Sequence, residues 1–204
     1  MRVGILGGTF DPPHVGHLLA ASDAHEALQL DRVLFIPAAQ QPLKIQLPNG
    51  PVSTQIERAP APDRLEMVRL AIAHDPRFAV SAIEIDRGGL SYTIDTLSAL
   101  ADRSPGDTRY LLVGADVLAT FWKWRQPERI LQLATLAVFA RAVSDDGNVQ
   151  ASWDGLRAEW RESHGRPLEH TPVFLGSRRV DVSSTEVRER VATGRSIHGF
   201  VPDA

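Results

Sequence analysis

Short apolar runs alternate along this chain with stretches of helical periodicity. The runs that predict strands are residues 2–6, 32–36, 78–85 (as one strand or two), 110–113, 136–140 and 173–175. The stretches that predict helices are residues 15–30, 63–73, 93–101, 127–133, 153–163 and 183–193. This alternation favours an α/β fold with a doubly wound, Rossmann-like, mostly parallel sheet and helices on both faces. Ligands of that fold bind beyond the carboxyl ends of the strands.

Prolines and glycines divide these elements. Residues 37–63 contain six prolines and little apolar periodicity, so they predict a mobile surface loop within a single domain that spans 1–204. Asp63 is expected to cap the helix that follows this loop. Gly88 and Gly89 predict a turn, and residues 144–148 predict a polar surface turn.

The composition narrows the class of protein. A chain of 204 residues, 43% of them apolar, can bury the core of a domain, and its net charge of −3 supplies no basic field for nucleic acid. The lack of cysteine excludes disulfides and thiolate chemistry and suits a reducing compartment. The sequence has neither a secretory signal pattern nor a membrane-spanning run, so we expect a cytoplasmic protein without nucleic-acid or membrane partners. The sequence leaves open whether the protein forms a homo-oligomer.

The first motif is the segment Gly7–His17, GGTFDPPHVGH, directly after the first predicted strand. Its glycines allow a ligand to approach the backbone, and its prolines lead into a helix whose first N–H groups attract anions. His14 and His17 share one face of that helix and can donate hydrogen bonds to a phosphate. The spacing fits neither a Walker A loop nor a GxGxxG turn. A metal-binding histidine pair beside Asp11 and plain tight packing are the alternatives.

The second motif lies at the start of the last predicted helix, where residues 182–188 read VSSTEVR. Ser183 and Glu186 form a capping box, which by itself is an ordinary helix start. The three consecutive hydroxyls at 183–185, the first-turn N–H groups and Arg188 add donors suited to a polyphosphate. Two such helix starts at opposite ends of the chain fit a nucleoside triphosphate.

These motifs resemble those of a known family. The HxGH element within GGTFDPPHVGH resembles the signature of the HxGH nucleotidyltransferases, and residues 182–188 resemble their ISSTxIR element. The chain is most similar to the bacterial nicotinate mononucleotide adenylyltransferases, over nearly its whole length. The resemblance implies transfer of the adenylyl group of ATP to nicotinate mononucleotide, giving deamido-NAD and pyrophosphate in NAD biosynthesis. It implies Mg²⁺ held mainly by substrate phosphates, with no metal ligated by the chain.

Three segments in the middle of the chain bear on the substrate. Ser91–Thr93 resembles the family's SYT element, whose main chain receives the nicotinate carboxylate, although it also reads as an ordinary Thr-capped helix start. Phe121–Trp124 is aromatic-dense, and Trp124 matches the family's stacking aromatic, whereas Trp122 stands where a small residue or proline is common. Gly114–Asp116 resembles the family's GxD element near the adenosine ribose and can equally be an N-cap.

The resemblance carries a complete set of candidate site residues. The catalytic residues are His14 and His17. The ATP-binding residues are Gly8, Thr9, Phe10, His14, His17, Gly114, Asp116, Ser183, Ser184, Thr185 and Arg188. The nicotinate-nucleotide-binding residues are Lys44, Tyr92, Thr93, Trp124 and Arg141.

The chain departs from the family in one loop, and other functions stay open. Leu43 stands beside Lys44 where the family's loop has a histidine, so Lys44 is by default a solvated side chain. An adenylyltransferase for another acceptor, such as phosphopantetheine, is the nearest alternative, followed by a cytidylyltransferase. A regulatory module that binds ATP without turnover is the alternative from another class. A tRNA-charging enzyme would need a basic extension, which this chain lacks.

Overall fold

The computed structural model describes residues 1–42, 59–140, 146–176, 178 and 180–203. Within these ranges the strands are β1 (Arg2–Gly8), β2 (Arg32–Pro37), β3 (Phe78–Val80), β4 (Thr108–Gly114), β5 (Thr135–Ala140) and β6 (Val173–Gly176). The α-helices are α1 (Val15–Ala27), α2 (Ala61–Ile72), α3 (Ile83–Arg87), α4 (Thr93–Arg103), α5 (Pro127–Leu133), α6 (Asp146–His164) and α7 (Ser184–Ala192). A 3₁₀ helix spans Ala115–Lys123.

The described strands form one sheet in the order β3-β2-β1-β4-β5-β6. Every neighbouring pair is parallel, and Ile5 of β1 lies opposite Leu34 of β2 and Leu111 of β4. The strand order reverses between β1 and β4, where a doubly wound sheet has its ligand-binding crevice. The prediction of a doubly wound parallel sheet is confirmed.

Side chains on the two faces of β1 enter two different hydrophobic clusters. Val3 and Ile5 of β1 pack in the cluster that contains the buried residues of α4, α5 and α6. Leu6, on the other face, packs in the cluster that contains those of α1 and α2. Because successive strand residues point to opposite faces, this division gives three layers, with the sheet between two layers of helices.

One predicted strand is half wrong. The pattern of residues 78–85 predicts one strand or two, but β3 ends at Val80 and helix α3 begins at Ile83. Glu84 is 8% exposed because its Oε1 accepts a hydrogen bond from Thr96 Oγ1 at 2.6 Å. A strand with alternating burial would have turned that carboxylate to solvent. Gly88, with φ of 70°, ends the helix.

The 3₁₀ helix follows a pattern that a search for α-helical spacing misses. Leu118 and Phe121 are 1% and 0% exposed, and Ala115 packs against the same cluster. These positions are three apart, and a helix with three residues per turn places them on one face.

Two helix boundaries also differ from prediction. Helix α2 begins at Ala61 with Pro60 as its N-cap, so Asp63 lies inside the first turn and is not the cap. Pro62 favours this early start because its fixed φ suits the first turn of a helix. Helix α6 begins at Asp146, inside the predicted turn at 144–148. Of the predicted loop at 37–63, residues 43–58 lie outside the described residues.

Gly4 tests how tightly β1 is packed at the centre of the sheet. A Cβ at position 4 would lie 2.6 Å from Leu30 Cδ1 and 3.2 Å from Leu112 Cδ1. We expect Gly4→Ala to lower the free energy of unfolding by about 1–3 kcal/mol, measured by urea denaturation. Gly106→Ala is the control, because a Cβ there meets no atom within 4 Å. Equal stability of the two variants would contradict the prediction.

Candidate active site

A cleft of about 1240 Å³ opens at the carboxyl ends of β1 and β4. Its lining includes the last residues of β1, the end of β4 at Gly114, the start of α4, the 3₁₀ helix and the segment before α7. It therefore lies at the reversal of strand order. The predicted site residues that line it are Gly8, His14, His17, Tyr92, Thr93, Gly114, Asp116, Trp124 and Ser183.

The two histidines of the first motif lie against each other at the start of α1. His14 is the N-cap, and its backbone N–H donates to His17 Nδ1 at 3.1 Å. The ring centroids are 3.7 Å apart with an interplanar angle of 34°. A neutral imidazole has one donor nitrogen and one acceptor nitrogen, so this bond leaves the N–H of His17 on Nε2. The backbone thus fixes the tautomer with which His17 can donate to a ligand.

Gly16 allows this stacked arrangement. A Cβ at position 16 would lie 3.0 Å from His14 Nδ1 and 3.5 Å from Val180 Cγ1. A side chain there would crowd the His14 ring, whereas its distance to Val180 would be an ordinary van der Waals contact. The glycine between the histidines therefore leaves room for the His14 ring within the motif.

Burial keeps both imidazoles neutral at physiological pH. It lowers the pKa of His14 to about 4. For His17, burial and then the neighbouring His14 lower the pKa to about 3. In the free protein these rings therefore offer neutral N–H groups, and the charge-assisted hydrogen bonds expected from the sequence require an anion that raises their pKa.

Phe10 and Thr9 support the first motif from behind. The Phe10 side chain is 2% exposed and packs edge-on against His17 with a centroid distance of 5.0 Å. Its ring atoms lie 3.0–3.2 Å from the position of a Cβ on Gly8. The Thr9 carbonyl accepts a hydrogen bond from Arg64 Nη1 at 2.7 Å. The Phe10 ring thus lies beneath the cleft, and neither Thr9 nor Phe10 is among the residues that line it.

The second motif packs onto the first. Ser183 is the N-cap of α7, and its Oγ accepts from the Glu186 backbone N–H at 3.1 Å, as one half of the predicted capping box. Ser184 Oγ donates to the Pro12 carbonyl at 2.8 Å. Arg188 Nη1 donates to the Asp11 carbonyl at 2.5 Å. The start of α7 therefore faces the cleft through Ser183, while Ser184 and Arg188 hold the two motifs together.

Thr185 and Arg188 lie next to each other on α7. Arg188 Nη2 donates to Thr185 Oγ1 at 3.3 Å, and Arg188 Nη1 lies 3.9 Å from Asp11 Oδ2. The Arg188 Nε is buried and has no hydrogen-bond partner within the described ranges. This guanidinium is thus aimed at the first motif.

The opposite wall of the cleft carries the start of α4 and the aromatic segment. Tyr92 is the N-cap of α4, and Thr93 is the first residue of the helix. The Arg125 guanidinium lies 5.0 Å from the centroid of the Tyr92 ring and 3.5 Å from Asp95 Oδ2. Trp124 lines the cleft. Trp122 instead packs on Trp160 with a centroid distance of 4.9 Å.

Two predicted site residues lie outside the described part of the chain, and several residues of the cleft were not predicted from the sequence. Lys44 and Arg141 lie outside the described residues, as does Leu43. Sequence reasoning missed Lys123, Arg125 and Glu84, which line the cleft. It also missed the buried Arg64, whose position beside the buried Leu65, Val68 and Ile72 of α2 was the available signal.

The described residues contain neither a membrane-spanning helix nor a cluster of metal ligands. No helix there is both long and apolar enough to cross a membrane. No group of three or more His, Cys, Asp or Glu side chains there could hold a metal ion.

The lowered histidine pKa values predict a pH dependence of stability. The pKa of an unfolded histidine is about 6.5, so below this pH the unfolded chain binds more protons than the folded one. We expect the free energy of unfolding to fall between about pH 6.5 and pH 4, by up to about 1.4 kcal/mol per pH unit for His17 and by less for His14, whose partial exposure lets solvent screen its charge. Urea denaturation at several pH values measures this slope.

The matched variants for this measurement are a double and a single substitution. His14→Gln/His17→Gln should have a shallower slope than the wild type, because the glutamines do not titrate. His74→Gln, at an exposed position, should keep the wild-type slope. A double variant with the wild-type slope would contradict the lowered pKa values of His14 and His17.

Comparisons with known proteins show the family to which this chain belongs. The family model described as cytidylyltransferase-like matches residues 5–190. A curated relative from Gemmatimonas aurantiaca, named "Probable nicotinate-nucleotide adenylyltransferase", is 46% identical over 208 residues and covers 100% of this chain and 87% of its own length. Relatives of the same name from Thermus thermophilus and Herpetosiphon aurantiacus are 43% and 41% identical, with 100% of this chain and 94% and 92% of their own lengths covered.

Solved structures share the fold. The nicotinic acid mononucleotide adenylyltransferase of Plasmodium falciparum, in a complex with NaAD, aligns with a TM-score of 0.67 at 14% identity. The alignment covers 97% of this chain and 87% of that chain. Matched over its whole length by these relatives, the chain belongs to the cytidylyltransferase-like family and, within it, to the nicotinate-nucleotide adenylyltransferases.

Proposed function

We propose that this cleft transfers the adenylyl group of ATP to the 5′-phosphate of nicotinate mononucleotide, giving deamido-NAD and pyrophosphate. The observation that carries the proposal is the pairing of two walls in one cleft. One wall has the histidine pair and the start of α7, and the other has the start of α4 and Trp124. The first suits a polyphosphate, and the second suits an aromatic carboxylate.

ATP binds along the first wall. His17 Nε2–H and the His14 ring donate to the phosphates at the reacting end, and Ser183 with the first N–H groups of α7 receives the β and γ groups. Thr185 and Arg188 join this second group of contacts as predicted from the motif, and Ser184 joins through its backbone N–H, because its hydroxyl donates to the Pro12 carbonyl. The main chain of Gly8, Thr9 and Phe10 borders the nucleotide, and Gly114 and Asp116 bind the adenosine ribose.

Nicotinate mononucleotide binds along the second wall. Helix α4 begins at Thr93, and the first N–H groups of a helix have no partner within that helix. Those near Tyr92 and Thr93 receive the nicotinate carboxylate, and the pyridinium ring stacks on Trp124. Lys44 and Arg141 contact the nucleotide's phosphate, a role that rests on the sequence resemblance alone.

The reaction is a single in-line displacement. An oxygen of the acceptor 5′-phosphate forms a bond to the α-phosphorus of ATP, while the bond from that phosphorus to the bridging oxygen of the β-phosphate breaks. The acceptor phosphate is ionised at neutral pH, so the enzyme needs no nucleophile of its own. The site acts by positioning the two phosphates and by donating hydrogen bonds to the charge that develops on them.

In this proposal Mg²⁺ binds together with ATP. Since the described residues offer no cluster of metal ligands, we assign it to the phosphate oxygens and water, where it neutralises phosphate charge. We place the reaction in the cytoplasm, because a chain without cysteine suits a reducing compartment.

The experiment that tests the function is Mg²⁺-dependent pyrophosphate release from ATP by the purified protein. Nicotinate mononucleotide, nicotinamide mononucleotide and phosphopantetheine are offered separately. Turnover with the nicotinate nucleotide is expected. Turnover with phosphopantetheine alone would contradict the proposed acceptor and retain only the adenylyl transfer from ATP. ATP binding without turnover would favour a regulatory module.

His17→Ala tests the donor role of the histidine pair. Removing a group that donates to the transition state should lower kcat by roughly 10²- to 10³-fold in steady-state assays of pyrophosphate release. His74→Ala, which changes an exposed histidine, is the control and should keep the wild-type kcat. An unchanged kcat in His17→Ala would remove this residue from the catalytic set.

Thr93→Pro tests the choice of acid over amide. Proline is tolerated at the first position of a helix, and the extended backbone of Tyr92 (φ −91°, ψ 129°) suits a residue before proline. The variant removes one backbone N–H, so kcat/KM should fall more for the nicotinate nucleotide than for the nicotinamide nucleotide. Thr93→Ala is the control for the lost side chain. A wild-type enzyme with equal kcat/KM for both nucleotides would contradict the selectivity.

A further inference from the structure

A buried arginine connects the two walls of the cleft through main-chain hydrogen bonds. Arg64, in the first turn of α2, is 4% exposed. Its Nη1 donates to the Thr9 carbonyl at 2.7 Å, and its Nη2 donates to the carbonyls of Ala38 at 2.6 Å and Ala39 at 3.2 Å. One guanidinium thus holds the first motif and the segment that follows β2.

That segment is in turn fixed to the start of α4. The Ala39 N–H donates to Ser91 Oγ at 2.9 Å, and the Ser91 N–H donates to the Gln40 carbonyl at 2.8 Å. Ser91 directly precedes Tyr92, the N-cap of α4. A continuous series of hydrogen bonds therefore runs from Thr9 through Arg64, Ala39 and Ser91 to the opposite wall.

The chemistry of the guanidinium suits this connection. Arginine presents its N–H donors in a rigid planar fork, whereas lysine has a compact charge on a flexible stem. The Arg64 Nε also donates to the Ala59 carbonyl at 3.0 Å, so the fork contacts carbonyls from three separate parts of the chain. Its shape fixes their relative positions in a way that a lysine cannot reproduce.

We propose that Arg64 is a positioning residue that sets the separation between the two substrates in the cleft. The inference rests on the proposed function, in which Thr9 borders ATP and the start of α4 holds the acceptor. An in-line displacement needs the reacting atoms about 3–3.5 Å apart, and a misplacement of about 1 Å can cost about 10²-fold in rate. Loss of the fork should therefore slow the chemical step more than it weakens the binding of either substrate.

Arg109 provides a matched control for the structural role of a buried arginine. It is 8% exposed and donates to the carbonyls of Leu100, Ser104 and Asp107, around the end of α4 and the start of β4. Arg109→Lys therefore breaks the same kind of carbonyl contacts in a part of the fold that does not line the cleft. It reports what the loss of such contacts does to stability alone.

The experiment compares Arg64→Lys with Arg109→Lys, using kcat per folded protein and KM for each substrate. We expect kcat of Arg64→Lys to fall roughly 10- to 100-fold with KM values within about threefold of the wild type. Arg109→Lys should keep kcat near the wild-type value. Equal kcat in the two variants, with an active wild type, would overturn the inference alone. An inactive wild type would overturn the proposed function first.

A second variant keeps the test independent of the folding of Arg64→Lys. Ser91→Ala removes the acceptor of the Ala39 N–H while every contact of Arg64 remains, and it should also lower kcat more than it raises KM. Because both substitutions interrupt one series of hydrogen bonds, the double variant should lose little more than the worse single variant. If the two losses of kcat instead multiply in the double variant, the two substitutions act separately, and the inference is overturned.

Discussion

The site depends on the reversal of strand order between β1 and β4. The chain leaves β1 towards β2 and later returns to pair β4 with the opposite edge of β1. The crossovers on the two sides put their helices on different faces of the sheet, so a crevice opens at the carboxyl ends of these two strands. Each functional segment begins within a few residues of such an end or reaches it from α4 and α7. The topology therefore creates the cleft, and the motifs supply its chemistry.

The electrostatics of the cleft differ from those of a cationic anion site. The chain has a net charge of −3, and its two central histidines are neutral when the cleft is empty. Two arginines of the lining already have carboxylate partners, since Arg125 contacts Asp95 and Arg178 contacts Asp23. In the proposed function, N–H groups that point into a partly desolvated space therefore attract phosphate together with Lys123 of the lining. A bound polyphosphate would favour protonation of the imidazoles, so its binding is linked to proton uptake.

Much of this arrangement follows from local sequence patterns, and the remainder depends on contacts between distant residues. The strands at β1, β2, β4 and β5 are continuous apolar runs, and burial on both faces leaves them few alternatives. Sequence reasoning did not predict the 3₁₀ helix, because its period of three matches neither the α-helical nor the strand period. It did not predict α3, because a buried Glu84 fits neither a polar helix face nor the alternation of a strand. The role of Arg64 was not predicted, because its hydrogen-bond acceptors are main-chain carbonyls, which no side-chain motif reveals. Sequence could propose the histidine pair, but their neutral state depends on burial that only the fold provides.

The contacts between the two motifs have a consequence for the newly made protein. Ser184 and Arg188 bind the carbonyls of Pro12 and Asp11, 172 and 177 residues earlier in the chain, and the Val15 N–H at the start of α1 donates to the Phe200 carbonyl. At a translation rate of about 5–20 residues per second, the first motif waits roughly ten seconds or longer for these partners. A nascent chain on the ribosome thus contains the histidines long before the contacts that hold their loop. The contacts that complete this side of the cleft therefore form only after the C-terminal segment has been synthesised.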